Sequence, residues 1–429
     1  MKKNTSILLF LTTYLCHLAI AQNLLLRDFE GYYLAQGQFP RDAGNLPWFP
    51  NDTEMQGVTN DGANWFFTMT PQDESNGIMW RIPKSRELGA GINEQTPGVD
   101  KVAMSDVQIL RNNNYWHWGD PDHYEYEGVD YILVPVTEGA EAPVILCFRA
   151  DNLAYVNYAK LRGGAHGGWC AVGTDGYIYS SSNHPDKLRR YEVDWSIFTD
   201  PNSGNHDVIT YLESYTLKNS DGSTLQLRHM QGGEFSRSGE LLYVVCGTGG
   251  CLGQGDGPNP TDGIHVFETH TWREVQHSFN NYGLENYFSY TFDNTCKNCL
   301  GGIGGFGSQT PEGLTVWNLD DGSAPNIRGQ LHVLTNWYTF AWACSDEFSL
   351  HHFSRNVYVD SDNGVIPPTS PRTGTRSKPF RTVNDAYSFY QIWDGAQMVI
   401  KAGTYSDTGI YSTRIRMVSE GGSTVIGQQ

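Results

Sequence analysis

Through roughly residues 50–350 the apolar and aromatic positions come in short, strand-length runs separated by polar turns rich in Gly and Asp. Helical periodicity is almost absent there. The clearest runs are Ile78-Met79-Trp80-Arg81-Ile82, Val144-Ile145-Leu146-Cys147-Phe148, Leu188-Arg189-Arg190-Tyr191-Glu192-Val193, Gly263-Ile264-His265-Val266-Phe267 and Leu331-His332-Val333-Leu334. They are assigned as outer strands of repeating sheets.

A loose repeat of about 50 to 75 residues organises these runs. Two copies set it: His166-Gly167-Gly168-Trp169 followed by Asp175-Gly176-Tyr177-Ile178-Tyr179, and His229-Met230-Gln231-Gly232-Gly233 followed by Ser238-Gly239-Glu240-Leu241-Leu242-Tyr243. A third is His117-Trp118-Gly119-Asp120 with Gly128-Val129-Asp130-Tyr131-Ile132. A fourth is Glu54-Met55-Gln56-Gly57 with Asp61-Gly62-Ala63-Asn64-Trp65-Phe66. The fifth runs Gly307-Ser308-Gln309 and then Glu312-Gly313-Leu314-Thr315-Val316-Trp317. Each copy reads as strand, tight turn, strand, then a second pair of strands, which is one blade of a β-propeller. Five copies predict an all-β, five-bladed propeller over residues 22–355. Residues 23–51 precede the first blade or supply its closing strand.

After residue 355 the grammar changes. Val357-Tyr358-Val359-Asp360 leads to a Pro-, Ser-, Thr- and Gly-rich stretch at 367–378, then Pro379-Phe380-Arg381-Thr382-Val383, a short helical run at 384–390, and Ala402-Gly403-Thr404-Tyr405. A separate small unit with parallel strands is expected over 356–429.

The composition suits a turn-dense β protein, with 47 Gly, 13% aromatic and only 18% charged residues. Lys2 and Lys3, an apolar run to Leu15 and Ala19-Ile20-Ala21 read as a signal peptide over 1–21, so export to the periplasm or exterior is expected. The leader is too short for a permanent membrane helix, and no later run reaches that length. With 29 Lys+Arg against 47 Asp+Glu, the formal net charge is −18, and loss of the leader lysines makes it more negative. That field argues against nucleic acid and suits neutral or cationic ligands. Seven cysteines follow the leader, an odd number that leaves at least one unpaired. Cys246 and Cys251 flank a glycine loop they could close. Cys296 and Cys299 read as loop cysteines or a redox pair, since no second pair stands at zinc-ribbon spacing.

If the copies are blades, equivalent positions of their first strands face one another across the axis. Glu54, His117, His166 and His229 then form a ring, with Gln309 or Glu312 contributed by the fifth blade. It is a candidate site for a divalent cation, Ca²⁺ or Zn²⁺, or for acid–base chemistry. The rival reading is structural, with each side chain hydrogen-bonding a neighbouring blade. The candidate catalytic residues are His117, Asp120, His166, His229 and Glu312. Asp120, Glu234 and Glu312 are carboxylates on different units, as a glycosidase pair requires. Tyr115, Trp116, Trp118, His123, Trp169, Gln231 and Gln309 are the candidate substrate contacts, because aromatic faces stack on sugars and amides bond their hydroxyls. Asp320-Asp321-Gly322 reads as a turn, since the rest of a calcium loop is missing.

The chain as a whole resembles bacterial secreted five-bladed propeller proteins. Its C-terminal pieces, Tyr358-Val359-Asp360, Pro379-Phe380-Arg381-Thr382-Val383 and Ala402-Gly403-Thr404-Tyr405, resemble the opening turns of right-handed parallel β-helix proteins of the pectate-lyase-like group. That resemblance covers about 70 residues and implies a fold fragment only, because the later coils of such enzymes are missing and one or two coils bury no core. The fragment is a cap, a docking module, or the start of a longer unit. Together these features suggest an extracellular polysaccharide as partner, met by a hydrolase or lyase at the central face. The alternatives are a glycan-binding, adhesion or scaffold propeller.

Overall fold

The computed structural model describes residues 27–36, 53–71, 76–88, 92–182, 187–227, 229–247, 262–277, 297–298, 306–319, 323–325, 327, 329–339, 347–354, 356–364, 379–389, 397–411 and 415–427. The leader, the 367–378 stretch, Asp320, Asp321, Cys251, Cys296, Cys299 and Cys344 fall outside them, as does the loop proposed between Cys246 and Cys251. Cys147 and Cys170 are free and buried. Among the described residues no helix is long and apolar enough to cross a membrane.

Five antiparallel sheets form the blades, as the repeat predicts. The N-terminal strand β1 (Arg27–Gln36) belongs to the last of them. Blade one is β2 (Thr53–Asn60), β3 (Asn64–Pro71), β4 (Ile78–Pro83) and β5 (Asp100–Ala103). Blade two is β6 (Asp122–Tyr126), β7 (Val129–Val136), β8 (Val144–Arg149) and β9 (Tyr155–Lys160). Blade three is β10 (Ala171–Val172), β11 (Ile178–Ser181), β12 (Leu188–Val193) and β13 (Ile209–Tyr215). Blade four is β14 (Met230–Phe235), β15 (Leu241–Cys246), β16 (Gly263–Glu268) and β17 (Arg273–His277).

In the fifth sheet a two-residue strand, β18 (Lys297–Asn298), pairs with the start of β19 (Phe306–Val316), followed by β20 (Leu331–Thr339) and β21 (Glu347–Ser354). Strand β1 pairs antiparallel with β21, from Arg27 opposite Ser354 to Gln36 opposite Glu347. The N-terminal segment therefore closes the last blade, not the first. Closure of this kind pairs an edge that would otherwise stay open. The runs expected on the outside, such as Val144–Arg149, are third strands of their blades, and the fifth-blade run lies in the second strand. Strands β5, β9, β13, β17 and β1 lie outside them.

Alternation of side chains along each strand builds one apolar layer between each pair of neighbouring blades. Trp65 and Phe67 of β3 face blade five, where Trp317, Leu334 and Leu350 meet them. Phe66 between them turns the other way, onto Ile132, Val134 and Leu146 of blade two. Further layers join blades two and three, three and four, and four and five. Each fully buried ring or branched chain contributes about 1.5–3 kcal/mol, so the blades are held chiefly by these layers.

The last unit is a parallel sheet of three strands, β22 (Asn356–Val359), β23 (Gln397–Tyr405) and β24 (Arg416–Ile426), with the helix Val383–Phe389 packed on it. Parallel pairing and one short helix match the expectation. One small parallel sheet is as far as the structure carries the β-helix resemblance.

Candidate functional site

The innermost strands meet in the ring β2, β6, β10, β14, β19 and back to β2. In three of them a β-bulge displaces one residue just before a glycine: Gln56 before Gly57, Gln231 before Gly232, and Glu312 before Gly313. The glycines let the strands close on the axis. A Cβ on Gly313 would lie 2.7 Å from the Cα of Gly57, and one on Gly232 would lie 2.7 Å from the Cα of Gly313. No side chain fits at that level except the one the fold puts there.

That side chain is Asp120. Its Oδ1 accepts from the amide of Val58 at 2.9 Å, and its Oδ2 accepts from Gly233 at 3.3 Å and Leu314 at 3.4 Å. Blade two thus ties the inner strands of blades one, four and five with one carboxyl. Burial pushes the Asp120 carboxyl well above the usual range, and the three amides act against that push. Asp120 is fully buried and part of the scaffold, which corrects its assignment as a catalytic residue: no substrate reaches it.

Glycine register also corrects the fifth repeat. Gly62, Gly128, Gly176 and Gly239 are hairpin glycines with φ between 74° and 84°. Gly313 is no hairpin glycine, because β19 runs through it, and its bulge matches Gly57 and Gly232. Glu312, not Gln309, is therefore the counterpart of Gln56 and Gln231. Gln309 lies earlier on β19, opposite Trp337, and its side chain is outside the described set.

On the N-terminal side of Asp120 lies the first mouth of the channel. Gln56 donates from Nε2 to Glu54 Oε2 at 3.2 Å, so its Oε1 faces His117 Nε2, also 3.2 Å away. An amide oxygen only accepts, so His117 carries its proton on Nε2. Burial, and then the charge of His166, holds the His117 imidazole down at about 4. Burial, with the charge of Glu54 added, pushes Glu312 well above the carboxylate range, and Asn336 hydrogen-bonds it. Asn336 also donates to the Met55 carbonyl at 2.8 Å. Glu54, His117 and Glu312 thus do come together, through Gln56 and Asn336. His166 is exposed just before β10, and His229 precedes β14 with φ 52°. The expected four-residue metal ring does not form: among the described residues no three His, Cys, Asp or Glu side chains converge as ligands.

Most of the aromatic contacts move to the core. Tyr115, Trp118 and Trp169 are fully buried. Trp118 donates to the Tyr115 carbonyl at 2.7 Å, and Trp169 donates to Ser181 Oγ at 2.9 Å. They fill the interblade layers, which corrects their assignment as sugar platforms. Trp116 stays half-buried, stacked on His117 at 5.2 Å. Gln231 is half-buried at its bulge.

His123 lies on the opposite side of Asp120, where the second mouth opens into a cavity of about 810 Å³. The ends of the inner strands line it: Asn60, Asp122, Glu234, Ser236 and Trp317. Asp122 and Glu234 come from blades two and four. Asp122 accepts from the amides of His123 at 2.7 Å and Val172 at 2.6 Å, which ties blade two to blade three. Burial still pushes its carboxyl up to about 7. Burial and then the charge of Asp122 push Glu234 well above the usual range, against Thr315 and the Val316 backbone. Glu234 Oε2 is closed off from solvent and has no hydrogen-bond partner. Asp122 was missed as a site residue because in sequence it is one of several polar positions around His117. Its one signal was its place two residues past the axial Asp120, where an inner strand leaves the plug.

No protein-family model matches the sequence, and no curated protein matches it. Among solved structures, the chain is similar to the tail fibre of Staphylococcus aureus phage P68, at 10% identity and a TM-score of 0.36, over 76% of this chain and 53% of that one. The chain thus spans about half the length of that fibre. It is also similar to RS223 β-xylosidase, at 8% identity and a TM-score of 0.36, over 75% of this chain and 94% of that one. A GH43_1 enzyme from Xanthomonas citri stands at 10% identity and a TM-score of 0.36, over 78% and 92%. Nothing about activity passes from likenesses at this level to this chain.

Proposed function

We propose that this is a carbohydrate-active propeller that engages a glycan at the second mouth of its axial channel. The observation that carries the reading is the cavity itself. It holds two carboxyls from facing blades, amides of Asn60, Asn318 and Gln330, and rings of Phe235, Tyr243 and Trp317. Carboxyls and amides bond sugar hydroxyls, and rings cover the apolar faces of a pyranose. The volume of about 810 Å³ accepts a short oligosaccharide rather than a single ion. Export and an extracellular polysaccharide as the natural partner belong to the same proposal.

A second reading, hydrolysis at the same pair, is favoured by one observation. Burial raises Asp122 to about 7 and raises Glu234 well above the carboxylate range, and the Asp122 charge adds to the push on Glu234, so an ionised Asp122 favours a protonated Glu234 beside it. Such a division supplies a base and an acid on the two sides of a glycosidic bond.

A glycan array followed by titration calorimetry tests the proposal. Asp122→Asn and Glu234→Gln should each weaken the glycan found by about tenfold, a loss of about 1.4 kcal/mol. Wild-type affinity in both variants would place the binding surface elsewhere. Release of reducing ends by the wild type, lost in Glu234→Gln, would select hydrolysis over recognition.

A further inference from the structure

The charges around the second mouth do not balance. Asp122 and Glu234 share the cavity, Asp61 stands at its edge, and Asp120 lies behind it in the plug. The basic groups are committed or distant. His123 Nε2 is 2.8 Å from Asp130 Oδ1. Lys84 lies over the Trp317 ring and donates to the Gly62 carbonyl, and it does not line the cavity. Arg237 is exposed and lines the cavity, but among the described residues it pairs with neither carboxyl. No lysine, arginine or histidine forms an ion pair with Asp122 or Glu234 among the described residues. Glu234 Oε2, closed off and unpartnered, adds an acceptor with nothing to accept.

An unpaired acid couple in a low-dielectric cavity holds its protons until a cation replaces them. A bare metal ion fits poorly, because two carboxyls fall short of a ligand shell and the space far exceeds one ion. An organic ammonium fits better: it donates up to three hydrogen bonds, and its carbon skeleton can pack on Phe235, Tyr243 and Trp317. An anionic glycan, such as a uronate, would meet the carboxyls head on.

We infer that the glycan engaged at the second mouth carries a free protonated amine, an amino sugar seated between Asp122 and Glu234. The inference rests on the glycan-recognition reading above and narrows its substrate class. The single positive charge of the ammonium stabilises one ionised carboxyl of the pair, and the proton that carboxyl held goes to solvent. Asp61, His123, Arg237 and the phenol of Tyr243 are the other titratable groups that line the cavity with this couple. Asp61 accepts from the amides of Ala63 and Asn64 within its own turn.

The test is calorimetry on the full chain with three probes: a tetramer of β-1,4-linked glucosamine, its N-acetylated counterpart, and the neutral glucose tetramer. Each is titrated in two buffers of different ionisation enthalpy, so that released protons are counted. The amine tetramer should bind about tenfold or more tightly than either of the others and release protons. Asp122→Asn and Glu234→Gln should each cost about tenfold for that probe only, whereas Arg237→Ala, which removes a competing cation from the cavity, should tighten it. Thermal melts confirm that the variants are folded. Equal or tighter binding of the neutral or acetylated tetramer overturns the amine inference and leaves glycan recognition standing. Absence of binding by every probe and every array glycan overturns both.

Discussion

Asp120 Oδ1 accepts a hydrogen bond from the amide of Val58 at 2.9 Å, across the boundary between the second and first blades. With Gly233 and Leu314 on Oδ2, this carboxyl replaces water for three inner-strand amides at the axis. The propeller is therefore closed at its rim by β1 and pinned at its centre by one side chain.

Asp120→Ala should be among the most destabilising single changes in the chain. Each amide left without a partner costs about 1–3 kcal/mol, and the loss adds a cavity at the narrowest point. Urea unfolding should show the midpoint falling while the slope stays the same. A midpoint within error of wild type would remove Asp120 from the scaffold.

Two glycines give a matched contrast. A Cβ on Gly313 would press on the Gly57 backbone at 2.7 Å, whereas one on Gly62 meets nothing within 4 Å. Gly62 has φ +84°, so Gly62→Ala carries backbone strain alone, about 1 kcal/mol. Gly313→Ala must spread the inner strands and should cost clearly more, about 1–3 kcal/mol or above. Equal losses in the two variants would mean the ring is looser than the contacts state.

Acid should weaken the fold in a defined window. Burial holds both His117 and His332 down at about 4, below the ordinary value of 6.5. A histidine kept neutral by the fold contributes fully above 6.5, and that contribution is lost as pH falls from 6.5 toward 4. The slope is up to about 1.4 kcal/mol per pH unit for each group. His332 donates from Nε2 to the Trp317 carbonyl at 2.8 Å, so its Nδ1 must accept from His352 Nδ1 at 2.7 Å. Protonating His332 breaks that second bond. Denaturant titrations across this range should show the decline, and His332→Gln should flatten it. A pH-independent wild type would contradict the account.

The outer half of blade four holds a buried acid between two imidazoles. Glu274 takes His265 Nδ1 at 2.5 Å and His277 Nδ1 at 3.1 Å, and all three are nearly fully buried. Burial pushes the Glu274 carboxyl up, but the two histidines outweigh it and hold it at about 2. Glu274→Gln removes the charge that both imidazoles face and should cost about 3–5 kcal/mol. Thermal melts read this directly, and a loss below 1 kcal/mol would show that the imidazoles repair the gap themselves.

The sequence by itself determined the blades. Alternating runs such as Trp65-Phe66-Phe67 have one side chain for each neighbouring blade, and Gly62, Gly128, Gly176 and Gly239 fix the hairpins that follow. Those are local signals with local physical causes. It also drew Glu54, His117 and Glu312 together, because equivalent repeat positions meet at an axis. Only the tertiary structure decided what each carboxyl does. Asp120 and Asp122 are two residues apart and look alike in the chain, yet one is sealed among three amides and the other lines an open cavity. The register of the fifth blade was likewise hidden, since Gly313 looks like a hairpin glycine until β19 is seen to pass straight through it. Which strand closes the ring, and which acid faces an empty space, depend on contacts between residues over a hundred positions apart, and local pattern carries no trace of those.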